Sequence, residues 1–317
     1  MLSRVANSIY WLNRYIERAD NIARFVDVNL NLMLDLPRHL AQQWHPLVIT
    51  TGDSEFFKER YGEATAENVI QFLTFDPDYP NSIISALRVA RENARSIREI
   101  ISSEMWEDVN NFYLMVKDAE SVKHIDMMPD LFAQVKRYSH RFAGVMDATM
   151  THNEGWHFGK MGRLLERADK TMRILDVKYF ILLPSADWVG TPLDQLQWIA
   201  LLKSASAYEM YRKQQNRINP TAIAEFLILD RHFPRSINFC ISQTEKSLYE
   251  ITQTPMGTWN RSPERALGRL SSRLGYLVIE DVIEDGLHEF LEQMQGSINN
   301  ISHEIALTFF NTEPVLA

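Results

Sequence analysis

The sequence predicts an all-α protein made of two tandem-duplicated helical-bundle units packed together. Three observations carry that expectation. Only 12 glycines and 12 prolines occur in 317 residues, and they cluster between long uninterrupted stretches, which leaves room for long helices and few tight turns. No segment shows the apolar–polar alternation, with a period of two, that a half-buried strand requires. Finally, the chain repeats itself.

Residues 14–28 read RYIERADNIARFVDV and residues 163–177 read RLLERADKTMRILDV, identical at eight of fifteen positions with an offset of 149. Further on the offset becomes 154. Gln43-Trp44 then matches Gln197-Trp198, and FLTFDPDYPNSI (72–83) matches FLILDRHFPRSI (226–237). A five-residue insertion after the first helix accounts for the change of register. The period is far too long for a solenoid and fits a duplicated bundle. The expected units are 1–150 and 151–317.

In chain order, a long helix is expected over 3–35 and again over 155–182. Each is stopped at Leu-Pro, Leu36-Pro37 and Leu183-Pro184, because proline cannot continue a helix. A second helix is expected over 42–52 and 193–213, and a short one over 65–74 and 220–228, ending at an Asp-containing loop with Pro80 or Pro234. Long helices follow over 81–104 and 235–252. The last pair covers 106–120 and 129–150, answered loosely by 262–284 and 285–312.

The chain is 45% hydrophobic and 23% charged, an ordinary globular balance. A net charge of −8 argues against a surface given over to nucleic acid or anionic membrane. The lone cysteine, Cys240, excludes an intrachain disulfide and fits a reducing compartment. It lies in an apolar run, Ile-Asn-Phe-Cys-Ile, as an inert core thiol does. Arg4, Asn7, Asn13, Arg14, Glu17 and Arg18 interrupt the stretch where the apolar core of a signal peptide would run. No 18 apolar residues run together. The expectation is a cytoplasmic protein with no membrane segment.

On a helix, residues 14–28 put Tyr15, Ile16, Ala19, Ile22, Ala23 and Val26 on one face and Arg14, Glu17, Arg18, Asp20, Asn21, Arg24 and Asp27 on the other. A solvated charged face tolerates polar exchange, yet between the copies it is the apolar side that drifts. Tyr15 answers Leu164 and Ile22 answers Thr171, while the charges stay identical. Two physical accounts fit. The charges form a buried network in which each arginine pairs with the other copy's glutamate. Or Arg14, Glu17, Arg18, Arg163, Glu166 and Arg167 line a site for an anionic ligand.

A second charged feature occurs in one copy only. In RVARENARSIRE (88–99), Arg88, Arg91, Arg95 and Arg98 step by three or four residues into one stripe, with Glu92 and Asn93 beside it. The matching stretch SQTEKSLYEI (242–251) holds no arginine. The stripe fits an anionic ligand or partner, or a surface row paired with Glu92, Glu99 and Glu104. Trp106 is expected in the core.

No phosphate-binding glycine loop, nucleophile elbow or HExxH pattern occurs. Glu154-x-x-His157 and Glu284-x-x-x-His288 are isolated, so no metal site and no cofactor are expected.

MLSRVANSIYWLNRYIERADNIAR, VARENARSIREIISSEMWEDVN, DATMTHNEGWHFGKMGRLLERAD and SAYEMYRKQQ with INPTAIAEFLILDRHFPRSI resemble the bacterial alpha-E family, an all-helical domain with a Glu-Arg motif, over nearly the whole chain. That motif falls on Glu17-Arg18 and Glu166-Arg167. The family's glycine before the first arginine is Gly162 in the second copy but Asn13 in the first, which puts the close approach of helices there in question. The resemblance implies association with circularly permuted ATP-grasp proteins, transglutaminase-like proteins and an N-terminal-nucleophile peptidase, a set read as a peptide synthesis or modification system. It brings no assigned activity. Three readings follow. One is an accessory module binding the ATP-grasp partner, its peptide or another acidic ligand. Another is an enzyme with an Arg/Glu pocket between the repeats, acting on a carboxylate- or phosphate-bearing peptide. The last is a purely structural scaffold.

Overall fold

The computed structural model describes residues 1–35, 44–122, 125–180 and 190–311, which form helices and the turns and loops between them, with no strand among the described residues. The order is α1 (Ser3–Asp35), α2 (His45–Ile49), α3 (Ser54–Tyr61), α4 (Ala66–Ile70) continued by a π turn (Gln71–Phe75), α5 (Ile83–Ser96), α6 (Ser103–Ala119) and α7 (Met128–Thr149). Then come α8 (Glu154–Phe180), α9 (Pro192–Ser204), α10 (Tyr208–Gln214), α11 (Pro220–Leu229), α12 (Ile237–Thr252), α13 (Ser262–Tyr276), α14 (Ile279–Asp285) and α15 (Leu287–Ile305), which ends in a second π turn (Ala306–Phe310). Among the described residues no helix is long and apolar enough to cross a membrane.

Helix α1 lies against α8, α5, α7 and α9. It runs in the same direction as α8, since Ile9 meets Gly155, Arg14 meets Glu166 and Glu17 meets Arg167. Two apolar clusters flank this pair. One is drawn from Val5 to Met150 plus Trp156. The other runs from Phe158 to Ile305 and takes in Ala6 and Tyr10 of α1.

The α1–α8 approach depends on small residues. A Cβ on Gly162 would collide with the Tyr10 carbonyl oxygen, one on Gly159 with the Asn13 amide and Met146, and one on Gly155 with Met1 while crowding Met150 and Ile9. Asn13 is accommodated because Gly159 faces it, and its Nδ2 donates to the Ile9 carbonyl (3.0 Å). The glycine missing from α1 is thus supplied from the opposite helix.

The two matched loops share one construction. Asp76 accepts the Asp78 N–H (2.9 Å) and Asp230 accepts the His232 N–H (2.7 Å). Ser82 caps α5 by accepting the Ser85 N–H, and Ser236 caps α12 by accepting the Phe239 N–H. Each serine hydroxyl also donates back to the Asp76 or Asp230 carbonyl. Orphan N–H groups at a helix start need such acceptors, which explains why Asp, Pro and Ser recur there.

Several expected boundaries differ. The helix expected over 81–104 stops at Ser96, and Ser102 caps a new one by accepting the Met105 N–H (3.2 Å). The helix expected over 193–213 breaks at Ser206, which takes a left-handed φ of 52°. That expected over 262–284 divides between α13 and α14, and α3 lies where no helix was expected. The Leu36-Pro37 and Leu183-Pro184 stops, with Gln43, fall outside the described residues.

Candidate functional site

The charged face of α1 is not solvated. Glu17 is 2% exposed and Glu166 is fully buried. Parallel packing on α8 sets the two Glu-Arg pairs opposite each other, and each glutamate is clamped by the other helix's arginine. Arg167 holds Glu17 in a bidentate fork, Nε to Oε1 and Nη2 to Oε2, both 2.8 Å. Arg18 holds Glu166 likewise, Nε to Oε1 at 2.7 Å and Nη2 to Oε2 at 3.1 Å. This fork is the strong form of the ion pair, fixing geometry as well as charge.

Further donors complete each carboxylate. Arg235 reaches Glu17 (3.2 Å), Asn21 (2.8 Å) and Asp20 (2.6 Å), and Asn21 donates to Glu17 Oε1 (3.0 Å). On the other side, Arg14 donates to Glu166 Oε2 (2.9 Å) and Lys170 stands 3.6 Å from Oε1. Arg24 and Arg173 each pair within their own helix and reach beyond it. Arg24 pairs with Asp20 (2.8 Å) and reaches the Ser206 hydroxyl, while Arg173 pairs with Asp169 (3.1 Å) and reaches the Thr50 carbonyl (2.9 Å). Asp27 takes Lys136 of α7 (2.7 Å) and Asp176 takes His288 of α15 (2.7 Å).

Burial alone would push Glu17 up, but Arg167 and Arg235 outweigh it and hold the carboxyl well below the usual carboxylate range. Glu166 is held down in the same way, with Arg18, Lys170 and Arg14 overcoming burial. Both are therefore held ionised near neutral pH, and so weak a hold on a proton makes each a poor general acid or base.

One motif residue has no counterpart role. Arg163 stands where Arg14 stands in the other helix, but no hydrogen bond or ion pair of its side chain occurs among the described residues, and its Nε is buried without an acceptor. Burial, and then the neighbouring Arg167, lower its pKa. The place beside Glu17 that Arg163 would fill by symmetry is taken by Arg235. The matched loop position in the first half carries Asn81, which instead accepts from Arg18 (2.7 Å).

Beside the joint lies a crevice of about 60 Å³, bordered by Arg18, Lys170, Arg173, Thr51, Tyr79 and Asn81. That is room for a few waters, not for a peptide.

The basic stripe is exposed, and its geometry differs from expectation at one end. Arg88 and Arg95 are exposed on α5, and Arg88 donates to the Pro77 carbonyl (3.1 Å). Arg91 donates to Asn110 (2.8 Å) and lies over the Trp106 and Tyr113 rings. Glu92 sits between Arg91 (3.4 Å) and Arg95. Arg98 is not on the helical stripe, because α5 has ended. It lies in the following turn with its guanidinium 4.8 Å from the Trp106 ring centre. Trp106 is half-buried, packs against the first apolar cluster as expected, and also serves as a platform for two arginines. Cys240 is buried, and burial pushes its thiol up to about 12.

Arg235, Asn81 and Lys170 were not among the residues expected at the joint. Asn81 and Arg235 occupy one position of the matched loop, and the change from amide to cation at that position was the available signal.

The model of the Alpha-E family, described as a predicted alpha-helical domain with a conserved ER motif, matches residues 1–310. Similar curated proteins include uncharacterized proteins of Mycobacterium bovis and Mycobacterium tuberculosis, each 23% identical over 328 aligned residues that cover 96% of this chain. The chain spans about a third of the length of these relatives, 36%. No solved structure matches it.

Proposed function

The chain belongs to the Alpha-E family, and from that premise we propose that it is a non-catalytic binding module. It would serve an ATP-grasp-dependent peptide synthesis or modification system and present the arginine–aromatic face of α5 and α6 to an anionic ligand or partner. The partner we assign is the circularly permuted ATP-grasp protein. A transglutaminase-like protein and an N-terminal-nucleophile peptidase belong to the same system. The observation that supports a module over an enzyme is the reciprocal closure of the two Glu-Arg pairs. Their glutamates are ionised, clamped and without substrate-sized space, so the joint is architecture. Accessible cationic chemistry lies instead on Arg88, Arg91, Arg95 and Arg98, of which Arg91 and Arg98 are held by aromatic rings and Asn110.

Co-purification with the ATP-grasp protein tests this reading. Wild type is retained, and Arg91→Ala with Arg95→Ala reduces retention about tenfold or more with an unchanged thermal midpoint. Retention equal to wild type removes this face as the contact.

A further inference from the structure

The strongest unassigned feature is a groove of about 870 Å³ between α13 and α15. Arg265, Arg269 and Arg273 line one wall, and all three are exposed. Their spacing of four residues puts them in a single row along α13, about 6 Å apart. No ion pair of these three arginines occurs among the described residues. Arg265 lies over the Trp259 ring (5.0 Å), and Arg273 bridges to Gln293 of α15 (3.4 Å). The opposite wall offers side-chain amides, Gln293 and Asn300, and its centre is bare at Gly296, where a Cβ would meet nothing within 4 Å.

Charge decides the sign of the ligand. Glu304 is the one carboxylate lining the groove against three arginines. The same arginines edge a second recess of about 770 Å³ toward α12, which carries Glu245 and Glu264. Those two carboxylates are engaged: Ser271 donates to Glu245 (2.6 Å), and Thr254 and the backbone N–H groups of Asn260 and Arg261 donate to Glu264. The α15 side is therefore the more positive and the less encumbered. A chain of net charge −8 that leaves a row of arginines without acidic partners has a local field opposite to its global one.

We propose that this groove binds an extended acidic peptide segment, with carboxylates at alternate positions seated on the arginine row. Alternate residues of an extended chain are spaced by about 6.6–6.8 Å, close to the spacing of the row. The amides of Gln293 and Asn300 are suited to the peptide's own N–H and C=O groups. Single-stranded nucleic acid fits less well, because base stacking needs a series of aromatic platforms and the lining holds one, Trp259 at its end. This site is separate in sequence and chemistry from the α5 face and does not rest on the function proposed for that face.

The test uses the full chain and fluorescence anisotropy with a short labelled peptide of alternating glutamate and serine, against oligothymidylate of equal charge. Wild type is expected to prefer the peptide, with affinity falling as salt rises. Arg265→Ala, Arg269→Ala and Arg273→Ala combined should weaken it about tenfold or more. Gly296→Phe fills the groove without altering charge and should weaken it to a similar degree. The groove variants should keep wild-type retention of the ATP-grasp protein, which separates the failure of this site from failure of the α5 face. The proposal is overturned by unchanged peptide affinity in the groove variants, by tighter binding of the oligothymidylate, or by no peptide binding to wild type at low salt. If the triple variant unfolds, Gly296→Phe alone decides.

Discussion

Arg14 and Arg163 occupy the same position of two related helices, and only one of them has work to do in the joint. Arg14 donates to Glu166 and also to the Tyr10 and Ser302 hydroxyls. Arg163 is half-buried, with a buried Nε that has no acceptor. Removing one partner of a buried pair leaves the other charge uncompensated and costs about 3–5 kcal/mol, whereas replacing an unpaired buried charge by an apolar group of similar volume is neutral or favourable. Arg14→Met should lower the urea-unfolding free energy by about 1.5–3 kcal/mol, less than a full orphaning, because Arg18 and Lys170 still hold Glu166. Arg163→Met should leave it unchanged or raise it by about 1 kcal/mol. Equal losses in the two variants would mean that Arg163 holds a partner after all.

At the scale of elements, the α1–α8 crossing decides the rest, because two helices carrying forked ion pairs must approach closely enough for both forks to close. Gly162 permits this by leaving the Tyr10 carbonyl uncovered. Gly162→Ala should cost about 1–3 kcal/mol through overpacking. Gly144→Ala, where nothing lies within 4 Å of the added carbon, should stabilise by about 0.5–1 kcal/mol through helix propensity. Thermal or urea unfolding of both variants checks the opposite signs. The long helices were legible in sequence because their apolar periodicity extends over many turns. The break at Ser206 was not, because neither glycine nor proline marks it. A residue other than glycine takes the left-handed backbone there while its hydroxyl meets Arg24 from the other half of the chain. The end of α5 at Ser96 was half legible. Ser102 and Glu104 carry a helix-start signal, but the arginine rhythm continuing to Arg98 concealed it.

Across the whole molecule, the joint links two apolar clusters through one helix pair, so its charge state governs the stability of both. Glu17 and Glu166 have depressed pKa values in the folded chain. Unfolded, they take up protons near their ordinary value of about 4.3. Above that pH neither state binds these protons and the stabilisation is complete. Below it the unfolded state binds more, so stability falls as pH drops toward the folded values. The urea midpoint should decline below about pH 4.5, and the decline should be shallower in Glu17→Gln, which no longer titrates at that position. An identical acid slope in the two proteins would show that other carboxylates carry the effect.

Sequence alone determined the helical class, the repeated register and the privileged status of the Glu-Arg charges. Periodicity and recurrence are properties of the chain itself, and charges that persist while their apolar neighbours drift must have partners. Only the tertiary structure shows that both carboxylates are buried and clamped. Whether a carboxylate is clamped or free depends on which groups arrive from elsewhere in the chain, and Arg235 and Asn81 arrive from loops far from the motif. The tertiary structure also sets Arg265, Arg269 and Arg273 along an open groove. A row of arginines reads alike in sequence whether or not carboxylates answer it, and only packing shows that α15 faces this row with amides across an open groove.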